Sequence, residues 1–197
     1  MDLVTEKKDF RKAMLAKRAS MSEAERERAD QRILEGVTSL AEYSRAQTVF
    51  VYVSVLDEPD TIALIEDALL LGKHVCVPRC AEMGIMHAYR IRSLDDLRKG
   101  MYDIPEPNDT CPLVDPEDVD LIIVPCVCCS FDGYRLGYGG GFYDRWLQKR
   151  VAPSAVLCFE AMLVPSVPLE PHDQRVDMLI SDGPEAVRRF ADTKILP

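Results

Sequence analysis

The chain has 197 residues, 47% hydrophobic and 29% charged, which suits one soluble domain with a substantial core over residues 1–197. Its net charge of −9 excludes a basic footprint for nucleic acid or for an acidic membrane surface, while a local cluster of cations can still hold an anionic small molecule. No apolar run approaches the roughly 20 residues of a bilayer span, and the charged stretch Met1 to Arg18 lacks the apolar core of a signal peptide. A cytoplasmic location is therefore expected, and a monomer is the starting expectation. Seven cysteines, an odd number, sit mainly in apolar segments and read as reduced, buried thiols. Neither His74, Cys76 and Cys80 nor Cys126, Cys128 and Cys129 has the paired spacing of a zinc site.

In chain order, Thr5 to Ala19 and Ser22 to about Tyr43 read as two helices, the second opened by the capping box Ser22-Glu23-Ala24-Glu25. Thr48 to Ser54 is a β-branched and aromatic strand. A helix from Thr61 to Leu71 stops at Gly72, and His74 to Pro78 follows as a strand. Gly84 to Ile91 suggests a third strand, Ser93 to Lys99 a short helix, and the Pro-rich Ile104 to Pro116 a surface loop. Val119 to Val127 is almost continuously apolar, as a parallel strand buried on both faces must be. Gly141 to Arg150 reads as a helix, Ala155 to Phe159 and Met178 to Ser181 as strands, and Pro184 to Phe190 as a terminal helix. The expected fold is α/β: a mainly parallel open sheet flanked by helices, behind an N-terminal helical preface.

Between the apolar strand and the helix at Gly141 lies Arg135-Leu136-Gly137-Tyr138-Gly139-Gly140-Gly141-Phe142-Tyr143-Asp144-Arg145. Its glycines let backbone N–H groups approach an anion, and its arginines can fork onto phosphate oxygens. Asp144 is of the type that holds a divalent metal bridging those phosphates. The run is neither a dinucleotide fingerprint, which needs glycine at Phe142, nor a P-loop, which needs Gly-Lys-Ser/Thr where Gly141-Phe142-Tyr143 stand. On the first helix, Lys7, Arg11 and Arg18 fall within about 40° of one another, beside Phe10 and Met14. Asp60, ahead of Thr61-Ile62-Ala63-Leu64, suits a helix N-cap.

The glycine-rich run resembles the signature of the 5-formyltetrahydrofolate cyclo-ligase family, also called 5,10-methenyltetrahydrofolate synthetases. The likeness extends to Lys7 and Arg11, Glu58-Pro59-Asp60-Thr61, Pro78-Arg79, Pro171-His172-Asp173 and Val176-Asp177. It implies an ATP- and Mg²⁺-dependent ligase that cyclises 5-formyltetrahydrofolate to 5,10-methenyltetrahydrofolate with release of ADP and phosphate. By that resemblance, Lys7, Arg11 and the loop Arg135, Leu136, Gly137, Tyr138, Gly139, Gly140, Gly141, Phe142 and Tyr143 meet ATP. Arg135, Arg145 and Lys7 assist transfer, and Asp144 and Asp173 hold Mg²⁺. Val55, with Glu58 or Asp60, and Tyr138 to Phe142 meet the folate. Two positions depart from many relatives: Ser130 stands in place of an Asp, with Asp132 two residues on, and Gly140 replaces a Lys found in some members. A binder that keeps the pocket without phosphoryl transfer is the competing expectation.

Overall fold

The computed structural model describes residues 2–82 and 84–190. Helices α1 (Leu3–Ala19), α2 (Glu23–Thr38) and α3 (Ala41–Arg45) precede strand β1 (Thr48–Val51), helix α4 (Ile62–Leu70), and the hairpin of β2 (His74–Glu82) and β3 (Ile85–Ile91). Short strands β4 (Leu97–Lys99), β5 (Pro105–Pro107) and β6 (Leu113–Val114) lead to β7 (Leu121–Val124), β8 (Cys128–Ser130), β9 (Arg135–Leu136) and helix α5 (Phe142–Leu147). The chain continues through β10 (Ser154–Leu157), β11 (Leu163–Val164), β12 (Met178–Ile180) and β13 (Val187–Arg189).

The main sheet has the order β13-β12-β10-β7-β1-β2-β3-β6, and its five central strands, β12 to β2, are parallel. Every residue of β1, β7 and β10 is buried, which explains why their sequences are apolar but for Thr48 and Ser154 at the strand starts. From β1 the chain moves through α4 to β2 on one side, and β7 later enters on the other. The strand order therefore reverses about β1, and a crevice opens beyond the carboxyl ends of β1 and β7. A second sheet, β11-β8-β9, sits beside that crevice and delivers the glycine-rich loop to it.

Several expectations change at the edges. Pro184 to Phe190 is not a helix: Val187–Arg189 pairs antiparallel with β12, and Arg188 and Arg189 bind Glu160 and Glu42. Those long-range contacts outweigh the helical propensity of a seven-residue stretch. The helix expected from Ser22 to Tyr43 breaks at Ser39, where the hydroxyls of Thr38 and Ser39 bond back to Leu34 and Gly36 carbonyls. Ser93 to Lys99 shrinks to a 3₁₀ turn at Leu94–Asp96 followed by β4, which pairs with β5 inside the expected loop. Prolines 105 and 107 are tolerated because this ribbon has only two strands and is all edge. β2 runs on to Glu82, and the run Val119 to Val127 contributes only Leu121–Val124 to the main sheet before turning into β8.

Candidate active site

Three loops and one helix meet at the crevice. Helix α1 is capped by Asp2, whose carboxylate accepts the Thr5 N–H at 2.8 Å, and its basic stripe faces inward. Lys7 is 8% exposed and Arg18 2%. The Lys7 ammonium lies 2.8 Å from Glu170 and 2.6 Å from Asp173. Burial opposes its charge, but hydrogen bonds and attraction from Asp173 and Glu170 outweigh that and raise its pKa above the ordinary value. Arg11 donates from Nε to the Gly137 carbonyl at 2.7 Å, which fixes the entry to the glycine loop.

The loop after β1 is held by its own short side chains. Thr61 Oγ1 donates to the Tyr52 carbonyl at 2.7 Å and accepts the Ser54 N–H at 2.9 Å, while the Tyr52 hydroxyl reaches the Pro59 carbonyl at 2.8 Å. The Asp60 carboxylate accepts N–H groups of Ile62 and Ala63 and the Ser54 hydroxyl, so it caps α4 as the sequence suggests. Glu58 is differently placed. It is buried, accepts the Val55 N–H at 3.0 Å, and has its pKa pushed up by burial despite hydrogen bonds from Tyr138 and Val55 and the nearby Arg18 charge. Val55, Glu58 and Asp60 also line a cleft of about 230 Å³ against Arg26 and Asp30 of α2.

In the glycine loop, Gly139 and Gly141 take φ of 99° and 66°, which side-chain-bearing residues rarely adopt. A Cβ at Gly139 would lie 3.4 Å from the Arg11 guanidinium, so small size there also admits a cation. Beneath the loop, buried Arg135 pairs with Asp144 at 2.9 Å and lies over the Tyr143 ring, 5.9 Å from its centroid. Asp144 accepts the Gln174 N–H as well, so the segment after Asp173 is joined to α5. Arg145 turns back to the carbonyls of Gly140, at 2.9 Å, and Gly84, at 3.4 Å, which brings the tip of the β2–β3 hairpin onto the loop. The Phe142 ring packs over Gly140.

Lys7, Arg11, Arg135, Asp144 and Asp173 are therefore linked through the glycine loop and the Glu170–Gln174 segment. Ser130 and Asp132 bond to each other across the β8–β9 turn, where Ser130 Oγ also accepts the Tyr134 N–H. Glu170 and the partners of Arg18 escaped the sequence reading. Glu170, with His172 and Asp173, places ligand-type atoms within 4.8 Å of one another; among the described residues no cysteine joins such a group. Arg18 was visible in the basic stripe, but its partners were not: it donates to Cys126 O, Asp57 and the Tyr138 hydroxyl.

A mostly parallel sheet whose loops converge at its switch point is the build of an α/β enzyme. Comparison with known proteins narrows that class. The 5-formyltetrahydrofolate cyclo-ligase family matches residues 4–182. The 5-formyltetrahydrofolate cyclo-ligase of Mycolicibacterium smegmatis is 35% identical over 176 residues, covering 85% of this chain and 89% of its own. The solution structure of Aquifex aeolicus 5,10-methenyltetrahydrofolate synthetase superposes with a TM-score of 0.84 at 32% identity, over 97% of this chain and 96% of that one. A 5,10-methenyltetrahydrofolate synthetase from Mycoplasma pneumoniae, 22% identical, shares the fold with a TM-score of 0.74, over 90% of this chain and 99% of that one. The chain belongs to the 5-formyltetrahydrofolate cyclo-ligase family and is a ligase.

Proposed function

We propose that the protein converts 5-formyltetrahydrofolate and ATP into 5,10-methenyltetrahydrofolate, ADP and phosphate with Mg²⁺, as a cytoplasmic monomer. The observation that carries the reading is that Arg11 and Arg135 bind within the glycine-rich run, at Gly137 and Asp144, while Lys7 binds Asp173 in the segment that Gln174 joins to Asp144. Such an arrangement suits phosphoryl transfer, which asks for positioning and charge stabilisation more than for a covalent nucleophile.

In this reading the amides of Gly137 to Gly141 cradle the ATP phosphates, helped by Leu136, Tyr143 and the cations of Lys7, Arg11, Arg135 and Arg145. Val55, Glu58, Tyr138 and Phe142 meet the folate, with Asp60 shaping the loop from its cap on α4. The formyl oxygen attacks the γ-phosphorus and the bond to ADP breaks. N10 then bonds to the activated formyl carbon, its proton is lost, and phosphate departs with the former formyl oxygen. Lys7, Arg135 and Arg145 neutralise charge on the transferring group. Asp144 and Asp173 would hold Mg²⁺, which when bound shields the phosphate charge. Asp173 offers a carboxylate of the kind that hard cation takes, within 4.8 Å of Glu170 and His172, and Asp144 reaches the same segment through the Gln174 N–H.

Burial raises the pKa of Glu58, and its carboxyl oxygens are of the type that accepts hydrogen bonds from ring N–H groups. The test is ADP release by purified protein with and without 5-formyltetrahydrofolate. Release that requires the folate supports the ligase; ATP binding with no folate-dependent release supports the alternative of a non-catalytic binder.

A further inference from the structure

Arg18 is the most deeply buried cation among the described residues, 2% exposed, and it sits where three loops meet. One Nη donates to the carbonyl of Cys126, just beyond β7, at 3.1 Å. The other donates to Asp57 of the loop after β1 at 2.9 Å and to the Tyr138 hydroxyl of the glycine loop at 2.7 Å. Asp57 stands next to Glu58 in the loop after β1, so a single Nη of Arg18 holds that loop and the glycine loop together. Arg18 thus ties three segments together: Cys126 beyond β7, Asp57 in the loop after β1 and Tyr138 in the glycine loop.

Tyr138 is otherwise held lightly. The residue is 49% exposed, and it lies between Gly137 and Gly139, the latter at φ 99°. Its hydroxyl adds a tie between the bonds from Arg11 to Gly137 and from Arg145 to Gly140. Arg18 Nε, meanwhile, finds no acceptor among the described residues, so the guanidinium is not optimised for stability. A planar fork with five donors can hold three acceptors on separate loops at fixed angles, which a lysine cannot.

We infer that Arg18 is a positioning residue that couples the two substrate sites, by joining the loop that carries Glu58 to the glycine loop through the Tyr138 hydroxyl. This rests on the proposed function, in which the first loop takes the folate and the second the nucleotide. Each ligand then sets the loop geometry that the other needs, and by linkage the effect on affinity is reciprocal.

The experiment is calorimetric titration of the whole protein with a non-hydrolysable ATP analogue and Mg²⁺, free and saturated with 5-formyltetrahydrofolate. Wild type, Tyr138→Phe, Arg18→Lys and the double variant are compared. We expect folate to tighten the analogue by about tenfold in wild type, within the usual range of site coupling, and by less than about twofold in each variant. The double variant should lose no more coupling than either single one, because both substitutions cut the same tie. Tyr138→Phe keeps the ring and guards against a folding defect at buried Arg18. Steady-state kinetics should show both KM values rising while kcat at saturation changes less, a split that simple loss of folded protein does not produce. Undiminished coupling in Tyr138→Phe, or wild type that binds both ligands independently, would overturn the inference. Wild type that binds neither ligand would instead remove the proposed function, and the coupling with it.

Discussion

Arg135→Ala tests both the packing of the site and its chemistry. The Arg135 side chain is 3% exposed and that of Asp144 16%, with 2.9 Å between them. Removing one member of a buried pair costs about 3–5 kcal/mol, because the other charge is left without compensation. Asp144 keeps the Gln174 N–H as a partner, so the low end, about 3 kcal/mol, applies. At roughly 2–4 °C per kcal/mol for a chain of this size, the melting temperature should fall by about 6–12 °C. Turnover efficiency at a temperature where the variant is folded should fall at least tenfold, about 1.4 kcal/mol of transition-state stabilisation. Arg135→Ala combined with Asp144→Ala removes the stranded charge and should recover about half of the lost stability, while activity stays low. Thermal and urea unfolding followed by circular dichroism measure the first quantity, and ATP-dependent product formation the second. A double variant as unstable as the single would refute the buried-pair reasoning. Near-wild-type turnover in folded Arg135→Ala would remove Arg135 from the mechanism.

Two further perturbations address the loops. Burial pushes the Asp30 carboxyl from an ordinary 3.8 up to about 6, against the pull of the Asp60 N–H and Arg26 and with the repulsion of Asp60 and Asp182. The folded state then holds a proton that the unfolded chain has lost between those values, so stability falls as pH rises from about 4 to about 6. Allowing for the side chain's partial exposure, Asp30→Asn should be more stable than wild type by about 1–2 kcal/mol at pH 7 and equal to it near pH 4. Urea titrations at a series of pH values decide this; parallel profiles would contradict it. Gly139→Ala places a Cβ at φ 99°, a strain of about 1–3 kcal/mol, 3.4 Å from the Arg11 guanidinium. Its KM for ATP should rise about tenfold with a smaller change for the folate, read from initial rates with each substrate varied, where one decade corresponds to about 1.4 kcal/mol. An unchanged KM for ATP would take Gly139 out of the nucleotide contact.

The centre of the fold was legible because its strands announce themselves: Thr48 to Val51 and Leu121 to Val124 are buried on both faces and carry little else but β-branched and apolar residues. Boundaries were less so. The apolar run through Val127 looks like one strand, yet Val127 already bonds to Leu136 of the second sheet, whose strands of two or three residues leave no periodic signal. The terminal strand at Val187–Arg189 depends on pairing with β12, a contact no local pattern encodes. At the site, the glycines, Lys7, Arg11 and Asp144 were visible as types in a pattern. Arg18 was visible only as a charge, since its partners lie 39, 108 and 120 residues away. The dual character of the loop after β1, with Asp60 capping a helix while Glu58 is buried beside Tyr138, likewise emerges only once the chain is folded.

The most direct test of the central claim is near-ultraviolet absorbance of the purified protein with 5-formyltetrahydrofolate, ATP and Mg²⁺, following growth of the methenyl product's band. The account predicts a rise that disappears when either ATP or Mg²⁺ is withheld. A flat trace from folded protein that still binds ATP would contradict it.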